Sequence, residues 1–190
     1  MNYEKICRRM AFGVVSAIAA SPVMAQSSVT LYGLVSEGLT WVNNEEGSHN
    51  YKLLSGSNQN NRLGFKIGED IGGGTKAIAQ LENGFDMVNG ELGQGGRMFG
   101  RQAFVGLSNN TMGTFTAGRQ YDMFWDYLTA YSAGVAIGGL LATPGDADNL
   151  MGSWRYSNSV KYASPTIGGF DFEGMYAFSN ASGEFTVNRA

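Results

Sequence analysis

Side chains along most of this chain alternate with a period of two, the period of a β-strand, and that pattern limits the fold more than any other feature. From Val29 to Trp41 one side reads Val29, Leu31, Gly33, Val35, Glu37, Leu39 and Trp41, and the other Thr30, Tyr32, Leu34, Ser36, Gly38 and Thr40. The alternation returns at Arg62–Gly68, Lys76–Glu82, Trp154–Tyr162 and Phe170–Phe178. In a soluble sandwich the apolar side would face a core and the charged side water. In a transmembrane barrel the apolar side faces lipid and the charged side a wet lumen.

Three features favour the barrel. Several segments run about 9–13 residues, near what a tilted strand needs to cross a membrane, whereas sandwich strands are shorter. Connections alternate between short turns (Glu69–Gly74, Ser108–Gly113, Ser164–Gly169) and long loops (Asn43–Asn61, Asp86–Gly96, Tyr121–Gly152), as in outer-membrane barrels. Trp41, Tyr121, Trp154, Tyr162, Phe170 and Phe178 fall near strand ends, which suits interfacial aromatic girdles.

Composition removes other classes. Only 3 Pro accompany 28 Gly, and aromatics make up 12%, so the chain is not a disordered tract. After processing, no apolar run is long enough for a membrane helix. One Cys and one His support neither a disulfide framework nor a Cys/His zinc site. A net charge of -3 and a pI near 5.1 argue against nucleic acid as a partner.

The first 25 residues read as a cleaved signal peptide: a basic start (Lys5, Arg8, Arg9), a short apolar stretch from Met10 to Ala20, Pro22, and small or branched side chains in Val23-Met24-Ala25. Cys7 leaves with it. The mature chain then carries 10 basic and 15 acidic residues, a net of -5. Without disulfides, an exported protein needs another source of stability, such as a large hydrogen-bonded sheet. Export makes the three short turns periplasmic and the three long loops external. The apolar middle of the longest loop, from Ser132 to Leu141, folds inward onto the wall in this reading and narrows a pore.

Leu31-Tyr32-Gly33, Arg62-Leu63-Gly64-Phe65-Lys66 with Glu69, Gln80-Leu81-Glu82, Arg101-Gln102-Ala103-Phe104-Val105-Gly106-Leu107, Gly113-Thr114-Phe115 and Gly118-Arg119-Gln120-Tyr121 occur in that order. Together they resemble the trimeric general porins of Gram-negative outer membranes. The stretch Gly90-Glu91-Leu92-Gly93-Gln94-Gly95-Gly96-Arg97 is similar to the betaproteobacterial branch. The resemblance implies an all-β antiparallel transmembrane barrel of sixteen strands in the family, of which about the first seven or eight are here. It also implies a homotrimer in contact with outer-membrane lipid and lipopolysaccharide, and passive diffusion of ions and small hydrophilic solutes. No cofactor and no metal is implied. Residues 26–190 would be the N-terminal half of the barrel, with 121–152 as the constriction loop. The chain ends at Arg189-Ala190 without the terminal aromatic strand of the family, and only the start of an eighth strand is visible at Glu184–Asn188.

By the resemblance Arg62 and Arg101 are basic wall residues of the eyelet and Glu82 a lumen carboxylate. Tyr32 and Lys66 line the same wall, and Asp122 and Asp126 lie at the root of the constriction loop. Glu91 sits in the loop that latches onto a neighbouring barrel, with Arg119 as its expected partner across subunits. The chain departs from the family in lacking a Pro-Glu-Phe-Gly-Gly stretch at the constriction, and no carboxylate lies between Asp126 and Asp146. Assigned to the lumen are the basic residues Arg62, Lys66, Lys76, Arg97, Arg101, Arg155 and Lys161 and the acidic Glu82, Asp86, Asp171 and Glu173, a weak lean toward anions.

No enzyme emerges. Gly72-Gly73-Gly74-Thr75-Lys76 lacks the spacing of a phosphate loop and reads as a hairpin turn. His49 stands alone, Glu82 and Asp86 lack a partner base, and Asp146-Ala147-Asp148 reads as a solvated loop. Two other functions fit the alternation: a secreted soluble β-sandwich binding protein such as a lectin, and a plugged, non-conducting adhesin-type barrel.

Overall fold

The computed structural model describes residues 27–128 and 155–183. The signal peptide, Trp154, most of the loop 121–152 and the segment Glu184–Asn188 lie outside the described residues. Nine strands are present: β1 (Ser28–Leu34), β2 (Glu37–Glu45), β3 (Ser48–Ser55), β4 (Arg62–Gly72), β5 (Thr75–Gly84), β6 (Gln102–Asn109), β7 (Gly113–Tyr121), β8 (Arg155–Ala163) and β9 (Glu173–Ala177). A short helix, α1 (Met123–Leu128), follows β7.

Seven strands form one antiparallel sheet in the order β1-β4-β5-β6-β7-β8-β9, and β2 pairs only with β3. Apart from that excursion, each strand lies beside the next in sequence. This is the meander that short turns produce. The β4–β5 turn shows why the sequence closes there: Gly72, Gly73 and Gly74 have φ of 87°, 62° and 73°, values at which side chains clash. The stretch that superficially matched a phosphate loop is this hairpin.

The structure corrects three boundaries. Val29–Trp41 is not one strand, because the chain leaves the sheet after Leu34. There Ser36 N–H donates to Asn61 Oδ1 (2.5 Å), and Ser36 O and Oγ accept from the N–H groups of Gly56 (2.7 Å) and Asn58 (3.1 Å). These bonds satisfy the Ser36 backbone away from β4. The expected loop Asn43–Asn61 therefore contains part of a hairpin, and Trp41 sits on that hairpin rather than in a girdle of the main sheet. The last strand is shorter than Phe170–Phe178, since Phe170 and Ile167 exchange backbone hydrogen bonds in a tight turn (2.7 and 3.1 Å) and pairing with β8 starts at Glu173. The connection after β5 extends beyond Gly96 to Arg101.

Burial is inverted relative to a soluble domain. Among the described residues the buried side chains are polar or charged (Glu82, Arg101, Thr116, Gln120, Ser159), and Tyr121 is the buried hydrophobic. Val29, Leu31, Val105, Leu107 and Phe115 are exposed. The registers Leu31↔Phe65, Phe65↔Leu81, Ala79↔Val105 and Leu107↔Phe115 place these apolar residues on one face. Among the described residues no second sheet packs on that face, as a sandwich would require.

Candidate functional site

The opposite face of the sheet carries the polar side chains. Register aligns Tyr32, Gly64, Glu82 and Gln102 across β1, β4, β5 and β6. Gly64 makes this possible: a Cβ there would lie 2.6 Å from the Tyr32 ring. The ring crosses β4 through that gap, and its hydroxyl donates to Glu82 Oε2 (2.7 Å) and accepts from Gln80 Nε2 (2.7 Å). Lys66, on the same face, holds its Nζ 5.2 Å from the Tyr32 ring centre, a cation–π distance.

Glu82 Oε1 in turn accepts from Arg101 Nε at 2.6 Å, with both side chains no more than 5% exposed. Arg101 does not reach this face by alternation, which would align it with Ala103 and Val105 on the apolar face. The chain bends just before β6, where Arg101 N–H donates to Glu82 O (3.1 Å). Gly84 leaves room for the arginine stem, since a Cβ there would come within 3.0 Å of Arg101 Cδ. Arg101 Nη2 and Arg155 Nη2 both donate to the Tyr121 hydroxyl, at 2.8 and 2.6 Å. The Arg155 guanidinium also lies 4.4 Å from the Tyr121 ring centre. Tyr32, Glu82, Arg101, Tyr121 and Arg155 thus form one continuous chain from β1 to β8. It contains two guanidinium charges and one carboxylate.

The loop root docks on the same face. Asp122 Oδ1 accepts from Trp125 N–H at 2.8 Å, so Asp122 caps α1. The Trp125 ring stacks on Tyr121 with centres 5.0 Å apart and planes 12° apart. Asp126 pairs with Lys161 on β8, whose Nζ also lies 3.0 Å from Glu173 Oε1 and donates to Tyr121 O at 3.2 Å. A cleft of about 400 Å³ remains beside the helix, lined among others by Gln80, Phe104, Thr116, Gln120, Lys161 and Glu173.

Of the expected site residues, Tyr32, Glu82 and Arg101 join directly, with Lys66 beside them. Asp126 lies on the same face, near β8 and β9. Arg62 stands apart and donates to Gln59 Oε1 (2.7 Å). Arg119 is half-buried and donates to its own chain's Gly100 O and Ser157 Oγ, both at 2.8 Å. Glu91 accepts from Asn89 Nδ2 at 3.1 Å in an exposed turn. Tyr121 is the correction: expected in an interfacial girdle, it is the buried hub between the two guanidiniums. Alternation hides it, because it shares the parity of Phe115 and Ala117. The pairing of β7 with β8 slips between Gly118 and Gln120, beside a positive φ of 56° at Asn158, and such irregularities re-aim side chains. The signal in the sequence was a tyrosine placed directly before the Asp122 cap.

Comparison with known proteins fits this geometry. The family described as Gram-negative porin matches residues 13–190. An outer membrane porin protein of Bordetella pertussis is 33% identical over 186 residues, covering 90% of this chain and 48% of that protein. Outer membrane porin protein 32 of Delftia acidovorans is 34% identical over 169 residues, covering 84% and 46%. Among solved structures, an anion-selective porin from Comamonas acidovorans superposes with a TM-score of 0.68 at 32% identity, covering 83% of this chain and 48% of that one. OmpT, an outer membrane protein of Vibrio cholerae, gives 0.52 at 18% identity and shows the fold alone. The chain spans about half the length of the curated relatives it matches. By its match over residues 13–190, its antiparallel meander and its inverted burial, the chain belongs to the Gram-negative porin family.

Proposed function

We propose that this chain builds part of the wall and the constriction of an outer-membrane channel through which ions and small hydrophilic solutes diffuse down their gradients. The observation that carries the reading is the pairing of an exposed apolar face with a polar opposite face on which the loop root docks. Lipid accepts the first without leaving backbone groups unpaired, and water wets the second. Residues 1–25 act as a cleaved signal peptide, 26–190 as the N-terminal part of the barrel, and 121–152 as the loop that narrows it. The protein is a channel and not an enzyme.

Fixed charges on the wall set selectivity. Arg101 and Arg155 form a positive side. Asp126, Asp171 and Glu173 gather with Lys161 on the β8–β9 side, an acidic pole at the loop root in place of one at the loop tip. Separated charges of opposite sign along the wall orient polar solutes. Tyr32, Arg62 and Lys66 extend the polar wall, and the excess of basic side chains favours anions weakly, in keeping with the anion-selective relative. The assembly is a homotrimer in outer-membrane lipid and lipopolysaccharide, with Glu91 of one subunit reaching Arg119 of the next.

The test is reconstitution of the protein extracted from outer membranes into planar bilayers. Stepwise conductance, with a reversal potential of anion-selective sign in a salt gradient, is the expected result. Membrane insertion without conductance would favour a plugged barrel and overturn the channel reading.

A further inference from the structure

The geometry points to Lys161 as the positioning residue that fixes the constriction loop to the barrel wall. This inference rests on the channel reading for its functional consequence, but its structural part stands independently. Lys161 lies on β8, and its ammonium meets three groups from three different elements: Asp126 of α1, Glu173 of β9 at 3.0 Å, and the carbonyl of Tyr121 at the end of β7 at 3.2 Å. Its hydrogen bonds go to Asp126 Oδ2 and Tyr121 O, Glu173 adds an opposite charge at ion-pair distance, and the lysine side chain is 14% exposed. Charge-assisted hydrogen bonds of this kind are the strong ones; Asp126 is 36% exposed, so its tie to Lys161 weakens as salt rises.

The placement matters because of where the loop leaves the wall. The chain departs at Tyr121 and returns at Arg155, two residues paired across β7 and β8. Lys161 sits beside that doorway, on the loop side of the sheet. At a rise of 1.5 Å per residue, the six residues of α1 span about 9 Å. Asp126 is the fourth of them, so the clamp holds the helix beyond its midpoint. Another tie is the Trp125–Tyr121 stack, one residue earlier. The two ties run to different partners, Tyr121 and Lys161, and together hold the direction of α1 more tightly than either alone. α1 is the first segment of the loop 121–152, so its direction sets where that loop starts from the wall.

The experiment compares wild type, Lys161→Met, Lys161→Arg and Asp126→Asn in the full protein extracted from membranes. Amide hydrogen exchange is read over Met123–Leu128, with β8 as reference. Lys161→Met is expected to raise exchange in the helix about tenfold, the effect of losing one charge-assisted contact, while β8 is unchanged. Lys161→Arg is expected to restore protection. Asp126→Asn, on the loop side, removes the charge of that tie while leaving an amide oxygen that still accepts a hydrogen bond, and is expected to raise helix exchange by a smaller factor even if Lys161→Met does not assemble. In planar bilayers, Lys161→Met and Asp126→Asn are expected to replace a steady open level with flicker between substates. Wild-type exchange in either variant overturns the clamp, and raised exchange with an unaltered open level overturns its control of the opening. A wild-type protein with no conductance overturns the channel reading instead, and the exchange data still decide the clamp.

Discussion

The buried ion pair between Glu82 and Arg101 yields the most quantitative prediction. The two side chains are 5% and 4% exposed, and their contact is 2.6 Å, so solvent screens the pair little. Replacing Glu82 by Met leaves Arg101 and Arg155 around the Tyr121 hydroxyl without a nearby countercharge, and removes the acceptor for the Tyr32 hydroxyl. Breaking a buried pair from one side costs about 3–5 kcal/mol. Arg101→Met is expected to cost a similar amount, because it strands the carboxylate. The double substitution removes both charges together, so the coupling between the two sites is expected to be about 2–3 kcal/mol, and the double variant is correspondingly more stable than the sum of the singles implies. Reversible urea unfolding in detergent micelles, followed by tryptophan fluorescence, gives the four free energies of the cycle. Additivity within about 0.5 kcal/mol would refute the argument, since it would mean that the two groups are solvated separately.

Other substitutions probe the neighbouring geometry. Gly64→Ala places a Cβ 2.6 Å from the Tyr32 ring and 2.9 Å from Leu81 O; it is expected to destabilise by about 1–3 kcal/mol, and by less in a Tyr32→Ala background, measured by the same unfolding assay. Asp122→Ala removes the cap of α1 at a cost of about 1 kcal/mol and is expected to alter Trp125 fluorescence, whereas Asp122→Asn preserves it. At the tip of the β2–β3 hairpin, hydrogen bonds from Lys52 and Asn50 hold the Glu45 carboxyl below its ordinary pKa. That contribution is complete above the ordinary carboxylate pKa and disappears as the pH falls through the lowered one, so exchange of the hairpin-tip amides is expected to rise on acidification, and unaltered protection would contradict it.

Much of the wall was legible because period-two alternation is a backbone property. It places Tyr32, Lys66 and Glu82 on one face and Leu31, Phe65 and Leu81 on the other, and register preserves both sets. Alternation fails where the strand ladder is interrupted. Glu37 broke the apolar side of the first segment, and the chain turns away from the sheet at Ser36, immediately before it. Arg101 and Tyr121 both have the parity of the apolar face and both reach the polar cluster, one through a bend and the other beside a register slip. Such departures depend on pairing partners far along the chain, which no local window contains. Asp122 stands directly before α1, its role as a cap depends on the helix that follows, and six residues are too few to announce themselves by periodicity.

On the proposed function, one face of this sheet meets water in a conducting lumen while the other meets lipid. The sequence contains a single cysteine, Cys7, so cysteines can be introduced singly in a Cys7→Ser background. Lys66→Cys and Phe104→Cys on the polar face, and Phe65→Cys and Val105→Cys on the apolar face, are treated with a charged, membrane-impermeant thiol reagent while current is recorded from single channels. The account predicts labelling and a stepwise change in conductance at Lys66 and Phe104, with neither at Phe65 or Val105. Equal labelling of adjacent positions, or a current that responds from the apolar face, would contradict it.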